Sequence, residues 1–210
     1  MLHKETIESG TLELLKKVQS LDLLSDFNLA GGTSLALQIG HRVSIDLDLF
    51  TQKDFDTNEV LETLEESFGF SMSFTSKNTL IGNIGSVNLD LISHKYPLVE
   101  EVIIEEEVRL LTPADIAAMK LNAIAGNGTR SKDFVDIYFL LKQYSLNEIV
   151  DFYNKKYSNR NLIHVLKSLV YFDEISLIDW PNMVLEKQLT LNKIKKEIIS
   201  HVKAFDMKIS

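Results

Sequence analysis

Along residues 4–24 apolar side chains recur at Ile7, Leu12, Leu15, Val18, Leu21 and Leu24, close to helical spacing, with Gly10 as an interruption. This predicts an N-terminal helix packed beside a sheet. Phe27 to Ala30 reads as a short strand, and Leu35, Ala36, Leu37 and Ile39 as the helix that follows. At residues 45–49 the period falls to two. Ile45, Leu47 and Leu49 alternate with Asp46 and Asp48, so the aliphatics leave one face of a strand and both carboxylates leave the other. Residues 58–68 return to helical spacing. Val60, Leu61, Leu64 and Phe68 form the buried stripe, Glu59, Glu62, Glu65 and Glu66 the wet face, and Thr57 the N-cap. Short runs at 70–74, 80–84 and 87–92, separated by polar turns, predict a meander. In the last of them Val87, Leu89 and Leu91 share one face, and Asn88, Asp90 and Ile92 the other. Residues 99–109 predict one further strand with charged flanks.

From Thr112 onward the pattern is helical throughout. Thr112 as N-cap and Pro113 at the first helical position open a helix that runs to the break at Gly126-Asn127-Gly128. Helices are predicted over 131–143, 146–157, 161–172 and 191–205, with a polar link around 173–181. Strands mixed with helices, then helices alone, give an α/β (α+β) fold: a core over residues 1–110 and a helical region over 111–210.

Composition narrows the chemistry. With 45% hydrophobic and 25% charged residues the chain sits in the ordinary globular range, and 210 residues can bury a real core. No run approaches the roughly 18 apolar residues that span a bilayer, and the N-terminus lacks a secretory pattern, so a cytoplasmic protein is expected. Zero cysteines exclude disulfides, thiolate metal sites and thiol nucleophiles. The net charge of -8 is unevenly spread: residues 1–110 carry 8 basic and 19 acidic side chains, residues 111–210 carry 14 and 11. A slightly basic second half suits an enzyme that holds phosphates or RNA there, although lysine on the solvent faces of long helices accounts for the same counts. The nearest thing to a basic face is the last helix, with Lys193, Lys195, Lys196, Lys203 and Lys208.

Two features within residues 28–50 point to one site. Like charges side by side on a β-surface are unfavourable unless a cation sits between them. Hard carboxylate oxygens without cysteine select Mg²⁺ or Mn²⁺ for Asp46 and Asp48. Ahead of them, Gly31 and Gly32 would admit a ligand close to the backbone. Thr33 or Ser34 stands near a helix N-terminus, where free N–H groups and the helix dipole attract phosphate. Lys120 is unusual in a different way, lying among small and apolar helix residues.

Gly31-Gly32-Thr33, then Gly40-His41-Arg42-x-Ser44-x-Asp46-x-Asp48-x-Phe50, resembles the signature of the AbiEii/AbiGii toxin family within the nucleotidyltransferase (polymerase β-like) superfamily. The stretch Arg130-Ser131-Lys132-Asp133-Phe134-Val135-Asp136-Ile137-Tyr138 is similar to the family's second signature. The resemblance implies a nucleotidyltransferase fold, with a mixed, short-stranded sheet flanked by helices and a helical region completing the active site. It also implies transfer of a nucleoside monophosphate from an NTP, with release of pyrophosphate. Asp90 is the candidate for a third metal carboxylate from a later strand. Arg42 and Lys120 are implied as clamps on the triphosphate, and Ser44 is the serine of the family's Ser-x-Asp-x-Asp pattern. Asp133 and Asp136 match acids of the second signature; one is expected to orient the substrate hydroxyl or Lys120 and the other to hold the helix to the preceding loop. Members of the family act as toxins of toxin–antitoxin or phage-defence systems, some adding nucleotides to tRNA. A tRNA acceptor and a separately encoded antitoxin are therefore expected partners. The alternatives are a transferase that modifies a small molecule or a protein, and a non-catalytic nucleotide-binding relative.

Overall fold

Seven strands form one mixed sheet in the computed structural model, which describes residues 1–158 and 161–205. They are β1 (Asn28–Leu29), β2 (Leu47–Thr51), β3 (Phe70–Ser76), β4 (Thr79–Ile84), β5 (Val87–Ser93), β6 (Ile103–Glu105) and β7 (Val108–Leu110). In space the order is β3-β4-β5-β2-β1-β7-β6. The predicted meander is present as the antiparallel run β3-β4-β5, while β2 pairs in parallel with β5 and antiparallel with β1. Helices of the described residues are α1 (Ser9–Gln19), α2 (Gly31–Ile39), α3 (Thr57–Phe68), α4 (Pro113–Gly126), α5 (Ser131–Leu140), α6 (Leu146–Lys156), α7 (Leu162–Leu169) and α8 (Leu191–Ala204). The chain forms two compact units, residues 1–97 with 101–112, and residues 98–100 with everything from Pro113 onward. Lys208 lies outside the described residues.

In the first unit the period-two pattern is used twice, side by side. Parallel pairing sets Leu47 against Leu89 and Leu49 against Leu91, and all four are fully buried. With Leu12, Leu15, Val18, Leu29, Val60 and Leu64 they form the core between the sheet and helices α1 and α3. Each such leucine withdrawn from water stabilises the fold by about 1.5–3 kcal/mol. A slip of one residue would turn all four outward and the aspartates inward, so burial fixes the register of the carboxylates.

Four local expectations change. The N-terminal helix is interrupted: a 3-10 turn at Lys4–Thr6 and extended backbone at Ile7 and Glu8 precede α1, and a second 3-10 turn at Asp22–Leu24 follows it. The Thr6 carbonyl accepts from the Ser44 N–H at 2.9 Å, a tie that a continuous helix would forgo. The N-cap of α3 is Asp56, not Thr57; its carboxylate accepts from the N–H groups of Asn58 and Glu59, which stabilises a helix start by about 1 kcal/mol. Ile45 is 47% exposed rather than buried with Leu47 and Leu49, because β2 begins only at Leu47 and Ile45 lies outside its ladder. The single strand expected over residues 99–109 is a hairpin, β6 to β7. It turns at Glu106 and Glu107, both at positive φ (50° and 70°) where asparagine and glycine are usual. The Glu106 carboxylate compensates by pairing with Lys4 at 2.5 Å and accepting from the Leu2 N–H at 3.2 Å.

The second unit packs α4 to α8 around Phe134, Ile137, Tyr153, Leu169, Ile194 and Ile198, each buried, with an irregular stretch between α7 and α8. Helix α4 is fastened by two buried ion pairs. Asp115 in its first turn meets Lys156 of α6 at 2.8 Å and also accepts from the N–H groups of Val99 and Glu100. Five residues further along α4, Lys120 reaches α5.

Candidate active site

Asp48 and Asp90 stand on the face of β2 and β5 opposite the leucines, and Asp46, the residue just before β2 begins, is tied to the same face through Asn88. Parallel register makes Asp48 and Asp90 direct neighbours. Asp46 lies one row away and accepts from the Asn88 side-chain amide at 2.9 Å. All three acids are half-buried. Burial first, and the Asp46 carboxylate second, push the Asp90 carboxyl above its ordinary range. The arrangement is three hard oxygen-donor side chains on one sheet surface whose like charges disfavour one another. A divalent cation answers that repulsion, and the donor set fits Mg²⁺ or Mn²⁺. Among the described residues, no three His, Cys, Asp or Glu side chains already converge tightly enough to enclose an ion. Asn88 was not identified from the sequence; its signal was only that it precedes Asp90 by two residues on the same strand face.

The glycine pair packs against this surface. Helix α2 starts at Gly31, so both glycines form its first turn rather than a loop ahead of it. Gly31 has φ of +64°, and a Cβ there would overlap the Asp48 carboxylate; a Cβ at Gly32 would overlap the Arg42 guanidinium. The close approach that requires glycine is thus to two charged side chains of the site itself. Arg42 is buried and donates to the Val43 carbonyl at 3.1 Å. Ala30, the N-cap of α2, offers no side-chain acceptor to the first-turn N–H groups.

The hydroxyls point elsewhere than expected. Thr33 is buried, donates to the Asp46 carbonyl at 2.5 Å and shares a hydrogen bond with Ser44 at 2.9 Å. It braces the entry of the chain into β2. Ser34 is fully buried and donates to the Leu111 carbonyl at 3.1 Å, with Gln38 bonded to both. Both hydroxyls expected to meet phosphate are therefore committed to protein carbonyls, and the backbone of the first turn is what α2 presents.

In the second unit, Asp133 and Asp136 are three apart on α5 and reach the same ammonium: Lys120 Nζ lies 2.6 Å from Asp133 Oδ1 and 2.8 Å from Asp136 Oδ2. All three side chains are at most 10% exposed, so the lysine is a cation fixed in place. A separate cleft of about 300 Å³ is lined by Ile124, Ala125, Lys167, Ser168, Tyr171 and Glu174. No helix of the described residues is long and apolar enough to cross a membrane.

Known proteins resemble this chain across most of its length. A family model described as the nucleotidyl transferase AbiEii toxin of type IV toxin–antitoxin systems matches residues 14–97 and 81–208. A protein of Aquifex aeolicus (strain VF5) known only as aq_aa25 is 36% identical over 168 residues, which is 77% of this chain and 81% of that protein. The crystal structure of a candidate nucleotidyltransferase from H. pylori superposes with a TM-score of 0.57 at 18% identity, covering 94% of this chain and 95% of the other. The antibiotic-resistance factor ANT(2'')-Ia shares the fold more distantly, with a TM-score of 0.52 at 11% identity over 69% of this chain and 88% of its own. Asp46, Asp48, and Gly31 and Gly32, which pack against Asp48 and Arg42, fall within the matched stretches, and the chain belongs to the AbiEii family of nucleotidyltransferases.

Proposed function

We propose that the protein transfers a nucleoside monophosphate from an NTP to tRNA, in a reaction that depends on Mg²⁺ or Mn²⁺, as the toxin of a toxin–antitoxin or phage-defence system with a separately encoded antitoxin. The observation that carries the reading is the register of Asp48 beside Asp90, with Asp46 one row away, on a sheet surface against the N-terminus of α2. Asp46, Asp48 and Asp90 would hold the metal, which when bound lowers the pKa of an acceptor hydroxyl and neutralises phosphate charge. The first-turn N–H groups of Gly31, Gly32 and Thr33 orient phosphate oxygens with the dipole of α2 behind them. Arg42 adds a buried cation whose position the Gly32 backbone sets, and Thr33 and Ser44 hold the strand entry that aims Asp46. Lys120, oriented by Asp133 and Asp136, is the lysine that the family directs to the triphosphate. Catalysis in this scheme is positioning and charge neutralisation, as expected for phosphoryl-group chemistry.

A small-molecule acceptor of the aminoglycoside kind would need a pocket rich in acids. The cleft of the second unit pairs one carboxylate, Glu174, with one ammonium, Lys167. The deciding assay incubates purified protein with Mg²⁺, each labelled NTP in turn and total tRNA, beside the Asp46→Asn/Asp48→Asn variant. Label entering tRNA only with the intact protein is the expected result, and it names the nucleotide. Label on protein, or transfer retained by the double variant, would overturn the acceptor and the site assignment respectively.

A further inference from the structure

Glu186, in the irregular stretch between α7 and α8, has φ of +46°, a left-handed conformation that residues with a Cβ rarely enter. Its side chain explains why it is held there. One carboxylate oxygen meets Lys142 Nζ, just beyond the end of α5. The other accepts from Lys193 Nζ of α8 at 2.7 Å and from the Tyr138 hydroxyl of α5 at 2.9 Å. Lys142 Nζ also lies 4.5 Å from the Tyr138 ring centroid and 4.7 Å from that of Phe139. Two ammonium groups and a phenol converging on two oxygens are the donor set of an oxyanion site, and a phosphate presents the same acceptors as a carboxylate. Burial first, and the neighbouring Lys193 ammonium second, lower the Lys142 pKa, as expected where two cations are crowded round one anion.

The socket does not stand alone. Along α8, Lys193, Lys196, Ser200 and Lys203 recur at intervals of three, four and three, which places them on one exposed face, while Ile194 and Ile198 are buried. At 1.5 Å per residue the stripe is about 15 Å long. Glu197 flanks it, with its carboxylate 3.4 Å from His201 Nε2 and near enough to Lys142 to offset part of the lowering of that lysine's pKa. A row of cations this long suits successive phosphates of an extended strand better than one compact polyphosphate.

We propose that Lys142, Lys193 and the Tyr138 hydroxyl form a phosphate socket at the head of the α8 lysine stripe, that it receives the phosphodiester backbone of a single-stranded nucleic acid, and that Glu186 fills it until such a strand arrives. This rests on the reading that the acceptor is a nucleic acid and names where its backbone lies. The test is Glu186→Gln, which keeps the side-chain size and removes the charge. Fluorescence anisotropy of a short unstructured oligoribonucleotide is followed over a range of salt for the wild type, E186Q and E186Q/K193Q, with inorganic tripolyphosphate titrated in parallel and the melting temperature of each variant recorded. At low salt E186Q should bind the RNA about fivefold more tightly, the effect of removing one charge about 4 Å from a phosphate in water. Its log–log salt slope should steepen by about 0.7, one added phosphate contact, and K193Q should reverse both changes. Unchanged or weaker RNA binding by E186Q with a lowered melting temperature would make Glu186 a structural tie and overturn the proposal. Tighter binding of tripolyphosphate alone would overturn the strand assignment. The readout is binding, so it stands apart from turnover: Asp48→Asn should bind this RNA as the wild type does even if no transfer is ever detected.

Discussion

Gly31→Ala should damage the protein for two separable reasons, and the structure says how to separate them. The first is backbone: φ of +64° is left-handed, which costs an alanine about 1–2 kcal/mol whatever surrounds it. The second is contact: the new Cβ would overlap Asp48 Oδ2 and lie 3.1 Å from its Cγ, whereas the Asp48 Cβ, at 3.4 Å, is at ordinary van der Waals distance. Forcing that carboxylate aside resembles overpacking a core position, about 1–3 kcal/mol. Truncating Asp48 to alanine removes Oδ2 and Cγ and leaves only the tolerable contact. The double-mutant cycle of Gly31→Ala and Asp48→Ala, measured by urea unfolding, should therefore show a coupling of about 1–3 kcal/mol, with Gly31→Ala costing about 1–2 kcal/mol in the Asp48→Ala background. In the otherwise native protein the two terms together should lower the melting temperature by roughly 4–20 °C. Equal costs in the two backgrounds would refute the reasoning, because Gly31 would then be required by its dihedral alone and not by the carboxylate it admits.

Two further outcomes follow from the same geometry. Asn88→Ala removes the donor that holds Asp46 Oδ1, so metal-supported transfer should fall about 10- to 100-fold, with a matching rise in the Mg²⁺ concentration needed for half-maximal rate and little change in the unfolding midpoint. Glu148 forms the capping box of α6, and hydrogen bonds from the Ser145 backbone and hydroxyl hold its pKa below the ordinary 4.5. A depressed carboxyl stabilises the fold above its unfolded pKa and loses that contribution as pH falls through the folded value. Glu148→Ala should thus lower the melting temperature at pH 7, and the difference from the wild type should shrink below pH 4.5 and disappear in stronger acid.

The sheet was readable where alternation and burial coincide. Leu47, Leu49, Leu89 and Leu91 announce their faces in sequence, and because a period of two leaves no freedom once one face is buried, Asp48 and Asp90 had to share the other. The hairpin at Glu106–Glu107 carries no such signal. Its turn uses two residues that ordinarily avoid positive φ, and what compensates the first of them, Lys4 and the Leu2 N–H at Glu106, lies about a hundred positions earlier in the chain. Local propensity cannot see a compensation that distant. The buried pair of Asp115 and Lys156 is illegible for the same reason, since each reads alone as a solvent-facing helix end.

The site shows a subtler limit of sequence reading. Residue types named the chemistry, but a hydroxyl has no address until its neighbours are known. Thr33 and Ser34 carry the groups a phosphate would seek, yet each donates inward, to Asp46 and to Leu111. Those carbonyls lie 13 and 77 positions further along the chain and outside any helix, and a buried or half-buried acceptor left without a donor is costly, so the hydroxyls are claimed by distant backbone. The same logic works in the opposite sense at Gly31 and Gly32. A glycine pair reads as room for a ligand, and here the room is taken up by Asp48 and Arg42, charges of opposite sign brought to adjacent backbone positions of one helix turn. On the proposed reading that juxtaposition is what the first turn of α2 is for: N–H groups with a cation behind one of them and a carboxylate beside another would bind a phosphate together with its metal, which neither a plain helix N-terminus nor a bare acidic strand could do alone.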